Sequence, residues 1–282
     1  FSIDDGNYVM VFNGEIYNYQ KLRALLEEYH NVSFITKSDT EVLLQMYKHF
    51  GRKLLDHIEG MFAFVIYDKR ESSVFVARDF AGQKPLVYIE HETWLFFASE
   101  IPGLFALCPD FAKVVNTEAI KLYMIGNFFH LPHHISFFQW VKKLENAGYL
   151  IIKNGKIVEK WRYTELVPSQ IRDPKDEIQF LDAILEEMRP SDVGFASFLS
   201  GGIDSSYICS VLKSHETTPT EAYTLKISEN DRDYNRSQYV ADKLDLHHHT
   251  IELSGFNILQ SVNETVKNLW EPYFHITSVY AD

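Results

Sequence analysis

Phe195-Ala196-Ser197-Phe198-Leu199-Ser200-Gly201-Gly202-Ile203-Asp204-Ser205-Ser206 is an apolar run that halts at a Ser-Gly-Gly turn and then resumes. Tyr207, Ile208, Val211 and Leu212 follow at helical spacing, so the segment reads as a buried strand, a tight loop and a helix beginning near Asp204. Gly201 and Gly202 have no Cβ, which lets the backbone turn sharply and approach a ligand closely. The free N–H groups at a helix start favour an anion there. Ser200, Ser205 and Ser206 add hydroxyl donors. Asp204 would set a carboxylate beside bound phosphate, an arrangement that repels unless Mg2+ lies between. A glycine pair after a strand is by itself an ordinary turn, and the phosphate reading rests on the whole string.

Outward from this loop, strand and helix patterns alternate. Ile178, Leu181, Ile184, Leu185 and Met188 form one helix face, leading through Pro190-Ser191-Asp192-Val193 into the strand. Residues 220–227 read as a strand, 237–244 as a helix, 248–253 as a strand and 256–269 as a helix. This alternation predicts an α/β architecture, a doubly wound parallel sheet with nucleotide at the carboxyl ends of its strands. Leu199 and the Leu225-Lys226-Ile227 edge are then the expected adenine walls. His247-His248-His249 suggests a metal, but alternation sends the outer two to one face and the middle one to the other, so the run is read as strand. His130, His133 and His134 lack ligand spacing and are read likewise.

Ser200-Gly201-Gly202-Ile203-Asp204-Ser205 resembles the pyrophosphate loop of the ATP pyrophosphatase superfamily. Its members cleave ATP to AMP and pyrophosphate while adenylating a substrate. The resemblance implies ATP binding by Leu199, Ser200, Gly201, Gly202, Asp204, Ser205, Ser206, Leu225 and Ile227, with Mg2+ on Asp204.

The first half has a different texture. Residues 8–12 form a short apolar strand ending at the turn pair Asn13-Gly14. Leu22, Leu25, Leu26 and Tyr29 make the apolar face of a helix. Ser38-Asp39-Thr40-Glu41 has capping-box spacing ahead of Val42, Leu43, Met46 and Phe50, with Gly51 as the stop. Residues 61–67, 74–77 and 95–98 read as strands, the first two apolar on successive residues and so covered on both faces. A hairpin of residues 149–152 and 156–161 turns at Asn154-Gly155. Layered α/β packing follows, and the polar, two-proline stretch 168–174 is the expected linker between domains 1–167 and 175–282.

Asn13-Gly14-Glu15-Ile16-Tyr17-Asn18-Tyr19 closely resembles the glutaminase domain of class II glutamine amidotransferases, above all in the glutamine-hydrolysing asparagine synthetase family. The likeness continues through Ser38-Asp39-Thr40-Glu41, Gly60-Met61-Phe62-Ala63-Phe64, Arg78-Asp79 with Gly82 and Lys84-Pro85-Leu86, and Phe97-Ala98-Ser99-Glu100-Ile101. It implies an αββα sandwich of the N-terminal-nucleophile type, with Asn13 and Gly14 as oxyanion donors and Glu15 and Asp39 on the α-amino group of glutamine. The residue types suit those roles, since neutral N–H donors can await a developing oxyanion and carboxylates can hold an ammonium. The plain alternatives are a turn at Asn13-Gly14 and a helix cap at Asp39. Trp270-Glu271-Pro272-Tyr273-Phe274 resembles a family string whose glutamate lies at the synthetase centre, so Glu271 is the implied base for ammonia. Without the resemblance it reads as a surface carboxylate.

The totals fit an enzyme of small molecules. The 282 residues allow two cores, 46% hydrophobic content argues against disorder, and a formal charge of −12 argues against a general nucleic-acid binder. No apolar run reaches a membrane span, and two distant cysteines give no disulfide framework, so a reducing, cytoplasmic setting is expected. The family's nucleophile is an N-terminal Cys, a place that neither Cys108 nor Cys209 occupies. The start at Phe1 and the end at Asp282, ahead of the family's second glycine-rich acidic motif, are expected to leave both domains incomplete, and decay of the glutaminase half is the alternative account of the absent Cys. Some residues depart from the family: Phe80-Ala81, Gln83, residues 144–148, Asn235-Arg236 and His275. The implied reaction is ATP-dependent amidation of L-aspartate through an adenylate, with ammonia from L-glutamine. The resemblance allows a homodimer. Two other readings stay open: a relative that adenylates another acid, such as a β-lactam synthetase, with an inactive glutaminase-like half, or a non-catalytic nucleotide-binding module.

Overall fold

The computed structural model describes residues 1–92, 94–109, 111, 113–126, 131–132, 134–165, 174–188, 194–214, 220–228, 231–253 and 257–272. The chain divides into two compact units, Phe1–Val167 with Ser261–Asp282, and Pro168–Gln260.

The first unit opens with β1 (Ser2–Ile3), β2 (Tyr8–Ile16), α1 (Tyr19–His30) and α2 (Asp39–Phe50). Next come β3 (Gly60–Asp68), β4 (Ser73–Arg78), β5 (Val87–His91), β6 (Trp94–Ala98), α3 (Ile101–Leu107) and α4 (Thr117–Ile125). β7 (Val141–Lys143), β8 (Gly148–Lys153) and β9 (Lys156–Arg162) follow. The strands form a six-stranded sheet, β1-β2-β3-β4-β8-β9, and a three-stranded sheet, β6-β5-β7.

Three apolar interfaces stack these elements. Tyr8, Met10, Phe64, Ile66 and Phe75 on one face of the large sheet meet Leu22, Leu26, Val42, Leu43 and Met46 of α1 and α2. Its other face, through Ala63, Val76, Leu150 and Ile152, packs on Leu86, Tyr88 and Leu144 of the small sheet and its flanks. Val87, Ile89 and Val141 then bury the far side of the small sheet against Ile101, Leu104 and Phe105 of α3. Helix, sheet, sheet and helix give the αββα order. β3 and β4 lie in the middle of that stack, which is why their apolar residues run consecutively.

Local chemistry sets several boundaries. The hairpin between β8 and β9 turns at Asn154 and Gly155, both with positive φ (54° and 70°), as a two-residue turn requires. Ser38 caps α2 by accepting the Thr40 N–H at 3.1 Å. Glu41 does not complete a reciprocal box. Its carboxylate reaches outward instead, to the backbone N–H groups of Ile35 and Thr36 and to the Thr36 hydroxyl. Tyr29, expected on the apolar face of α1, is 70% exposed at the end of the helix.

Asn13-Gly14 is not a turn. Both residues lie inside β2, opposite Ala63 and Phe62 of β3. The glycine answers a different need: a Cβ at residue 14 would lie 2.1 Å from the Met61 carbonyl oxygen and 2.7 Å from the Phe62 Cα. Close approach of two strands, and not chain reversal, selects it.

In the second unit, α5 (Pro174–Glu187) precedes β10 (Ala196–Phe198), α6 (Ile203–Ser214), β11 (Glu221–Lys226), α7 (Arg232–Leu244) and β12 (His247–Glu252). The division between the units falls within α8 (Ile258–Leu269). The three strands pair in parallel in the order β10-β11-β12. Their core joins Leu199, Cys209, Ala222 and Ala241. α7 begins earlier than its apolar pattern suggests, because the Asp231 side chain caps it through the N–H groups of Asp233 and Tyr234. On α5, Ile178 and Leu181 are half exposed, unlike the buried face expected. Residues 168–173 of the linker, 189–193 ahead of the loop strand, His130, His133 and His275 lie outside the described residues. No helix among the described residues is long and apolar enough to cross a membrane.

Candidate active site

β2 and α2 together position the predicted glutamine-binding residues. Phe62 exchanges backbone hydrogen bonding with Asp79, its carbonyl accepting from the Asp79 N–H and its own N–H donating to the Asp79 carboxylate. Phe62 therefore spends both backbone groups toward β4, and the facing residue Gly14 forms a non-hydrogen-bonded pair with it. Such pairing brings the strands close, and at φ +154° a Cβ on Gly14 would point into the facing backbone. The pairing also turns the Gly14 N–H toward the opposite edge of β2, where β1 pairs only with Tyr8 and Val9. Two residues on, the Ile16 N–H faces that edge too and donates to Asp39 Oδ2 at 3.1 Å. Asp39 is the first residue of α2, so one hydrogen bond brings the helix start to the end of β2.

Asn13 and Glu15 alternate with Gly14 and so share the opposite face of β2. The Asn13 side chain donates from Nδ2 to Ser99 Oγ at 3.3 Å, just past the end of β6. Glu15 is half-buried. Its charge, after burial, helps push the Tyr17 phenol above its ordinary pKa. Asn13, Gly14, Glu15 and Asp39 thus gather at one end of β2. Asp39 does not cap the helix as the plain reading expected: the cap is Ser38, and Asp39 Oδ1 only accepts from the hydroxyls of Ser38 and Thr40.

Arg78 and Asp79 act as structural braces. Arg78 donates to three carbonyls, those of Lys84, Leu144 and Gly82, each at 2.6 Å. The fully buried Asp79 accepts from the N–H groups of Phe62, Gln83 and Lys84. Together they fix the loop that carries the chain into β5.

A cavity of about 420 Å³ opens beside this framework. Ser99, the partner of Asn13, lies in its wall with Arg78, Ile101 and Tyr123, and Lys143 and Glu271 lie in it as well. Glu271 is held there by packing of the preceding Trp270 on Phe105 and Phe138, with ring centroids 5.9 and 6.3 Å apart. Its Oε2 accepts from Lys143 Nζ at 2.8 Å, while Oε1 is buried and has no hydrogen-bond partner among the described residues. A carboxylate oxygen left without a donor is available to accept a proton or an N–H. Ser99 was visible in a family-like string; Lys143 carried no sequence signal.

In the second unit the strand, loop and helix of the phosphate reading are all present. Gly201 has φ +70°, and a Cβ on it would meet Arg236 and Ser237 of α7 at 2.5–2.6 Å. Ser200 and Ser205 hold the loop closed, their hydroxyls 3.1 Å apart and the Ser200 N–H donating to Ser205 Oγ. Asp204 and Ser206 stand in the first turn of α6, Asp204 exposed. Gly202 and Ile203 are exposed too, so the helix start is open to solvent. Leu199 is a correction: at 1% exposure its side chain belongs to the core and cannot wall an adenine. Leu225 is half-buried and Ile227 exposed, its N–H tied to Asp231 at 3.0 Å.

Neither cysteine has the setting of a nucleophile. Cys108 donates to the Leu104 carbonyl at 3.0 Å, and burial pushes its thiol up. Cys209 is fully buried and is raised by burial as well, a hydrogen bond with Ser197 opposing.

The αββα layering is the one expected of a glutaminase fold, and the chain belongs to the glutamine amidotransferase family: the profile of the glutamine amidotransferase domain matches residues 1–164. The asparagine synthase profile matches residues 177–280. Among curated relatives, the chain is 39% identical to asparagine synthetase [glutamine-hydrolyzing] 1 of Bacillus subtilis, over 75% of this chain and 34% of that protein. It is 33% identical to putative asparagine synthetase [glutamine-hydrolyzing] 2 of Methanocaldococcus jannaschii, over 88% and 48%. A second Bacillus subtilis protein, asparagine synthetase [glutamine-hydrolyzing] 2, is 32% identical over 95% and 38%. The chain therefore spans a third to a half of the length of these relatives. The asparagine synthetase resemblance read from the motif strings holds in both halves.

Proposed function

We propose that this chain carries the glutamine-binding and ATP-binding parts of an asparagine synthetase: in the full-length protein, domain 1–167 holds and polarises L-glutamine for release of its ammonia, and domain 175–282 activates L-aspartate with ATP. The observation that carries the reading is the cavity whose wall includes both Ser99, bonded to Asn13, and Glu271 with its unpartnered oxygen.

In this scheme the Asn13 amide and the Gly14 N–H stabilise the oxyanion formed on the glutamine amide, and Glu15 and Asp39 hold its α-ammonium. The attacking thiol is assigned to neither Cys108 nor Cys209. In the second domain the N–H groups at the start of α6 and the hydroxyls of Ser200, Ser205 and Ser206 orient the pyrophosphate end of ATP. The N–H groups suit the phosphate, and the hydroxyl oxygens with the exposed Asp204 carboxylate are the hard oxygen ligands that fit Mg2+. Bound Mg2+ would neutralise phosphate charge there. Glu271 accepts a proton from the ammonia that attacks the activated carboxylate, with Lys143 fixing its other oxygen. Leu225 and Ile227 remain the proposed contacts for the adenine, and Leu199 serves from the core beneath. A cytoplasmic setting and a homodimer belong to the same proposal.

The test is ATP–pyrophosphate exchange measured with a panel of acids. Exchange that requires L-aspartate supports the reading. Exchange driven by a different acid points to a related adenylating synthetase, and none with any acid to a binding module.

A further inference from the structure

The first residues of β11 and β12 bring together a group of side chains far from the phosphate loop. In the parallel register Glu221 lies opposite His247, and Tyr223 opposite His249, so Glu221, His247 and His249 share one face of the sheet. His248 takes the other face, where its ring meets the Thr224 hydroxyl at 2.8 Å. One Glu221 oxygen is 2.7 Å from His247 Nδ1, and the other is hydrogen-bonded to His249 Nε2. The three donor atoms lie within 4.8 Å of one another. Tyr223 stacks on the His249 ring at 4.5 Å, fixing its plane.

We propose that Glu221, His247 and His249 form a site for a borderline divalent transition-metal ion, zinc first, that clips β12 to β11 at their amino ends. Zinc takes imidazole nitrogen and carboxylate oxygen at about 2.0–2.2 Å, which places tetrahedral ligand atoms roughly 3.3 Å apart. The carboxylate and the imidazoles now sit at hydrogen-bonding distance, so small side-chain rotations open the triangle to that size. Two imidazoles and one carboxylate suit zinc, nickel or copper, and not magnesium or calcium, which prefer oxygen alone. Three protein ligands leave a position for water, and the exposure of His247 (61%) and Glu221 (40%) lets the ion enter from solvent. Because Ala196, at the start of β10, pairs with Glu221, the site lies at the end of the sheet opposite the loop that follows β10. It is therefore separate from the ATP site proposed above.

Titration of the purified 282-residue chain with Zn2+ against a chromophoric chelator tests the site, with Co2+ as a spectroscopic substitute. One ion per chain is expected, with the intense visible bands of four-coordinate cobalt. Glu221→Gln, His247→Gln and His249→Gln should each weaken binding at least about tenfold, as loss of even an outer-shell partner can. His248→Gln should leave it unchanged. His247 is mostly exposed, so its variant keeps the fold, and circular dichroism verifies this for all four. Absence of saturable zinc binding overturns the proposal, as does binding that survives His247→Gln and His249→Gln or falls equally in His248→Gln.

Discussion

Glu41 offers the sharpest test of how the glutamine site is held. The residue is 1% exposed, and its carboxylate accepts from the Ile35 N–H at 2.8 Å and from the Thr36 N–H and hydroxyl at 2.6 Å each. These bonds tie the segment before Ser38 and Asp39 to the first turn of α2. In Glu41→Gln the amide oxygen can keep one set of donors, but the NH2 group then faces the other. The variant loses a hydrogen bond to a charged group, about 1.5–3 kcal/mol, and strands a buried donor at about 1–3 kcal/mol. Together these come to about 2.5–6 kcal/mol, and a net loss of about 3 kcal/mol, toward the lower end, allows for partial relaxation. With a urea slope of about 1–3 kcal/mol/M, the unfolding midpoint should fall by about 1–3 M at pH 7. The pH dependence follows from the carboxyl itself. Burial alone would raise its pKa, but the hydrogen bonds from Thr36 and Ile35 overcome that and hold it below the ordinary value. A carboxyl depressed in the folded state stabilises fully above its unfolded pKa, about 4.3, and loses that contribution as pH falls through the lower folded value. The gap between wild type and Glu41→Gln should thus be constant near neutrality and narrow below about pH 4. A loss under about 0.5 kcal/mol, within the ordinary range for surface substitutions, would refute the reasoning. So would a gap that does not narrow in acid.

Three further outcomes are expected of the full-length protein. Asn13→Ala should lower glutamine-dependent kcat about 10²–10³-fold while sparing the reaction with added ammonia, as removal of one oxyanion donor does; steady-state rates with each nitrogen source check this. Asp204→Asn should abolish pyrophosphate exchange and leave glutamate release intact, read by running both assays on one preparation. Cys108→Ala and Cys209→Ala should leave glutamate release unchanged, because both thiols are buried and raised; loss of release in a variant that is still folded would place the nucleophile there.

Where local chemistry and tertiary need coincide, the sequence was a reliable guide. Asn154-Gly155 is a turn signal and makes a turn, and the strand, loop and helix around Gly201 follow the pattern of their apolar residues. Asn13-Gly14 carries the same turn signal but sits mid-strand, because the neighbouring backbone at Met61 and Phe62 leaves no room for a Cβ. Nothing local distinguishes the two cases. The αββα layering was legible only through family resemblance and the consecutive apolar residues of β3 and β4. Leu199 reads the same whether its side chain faces a ligand or a core; strand direction and the small residues Ala222 and Ala241 beneath it decide for the core. The histidine run shows the same limit. Alternation along one strand separates His248 from its neighbours correctly, yet only the register with β11 shows that Glu221 completes a triangle with the other two. Lys143, the partner of Glu271, is 128 residues away in sequence, and no periodicity spans such a distance.

The central claim is that nitrogen released at the Asn13 site ends in the amide made in the ATP-dependent step. Feeding the enzyme L-glutamine labelled with heavy nitrogen at the amide, together with ATP, L-aspartate and excess unlabelled ammonium, tests it directly by mass spectrometry of the product. The account predicts asparagine that carries the label with little dilution, and loss of that label in Asn13→Ala while unlabelled asparagine still forms. Asparagine labelled only in proportion to the free ammonium pool, or no amide of aspartate at all, would contradict it.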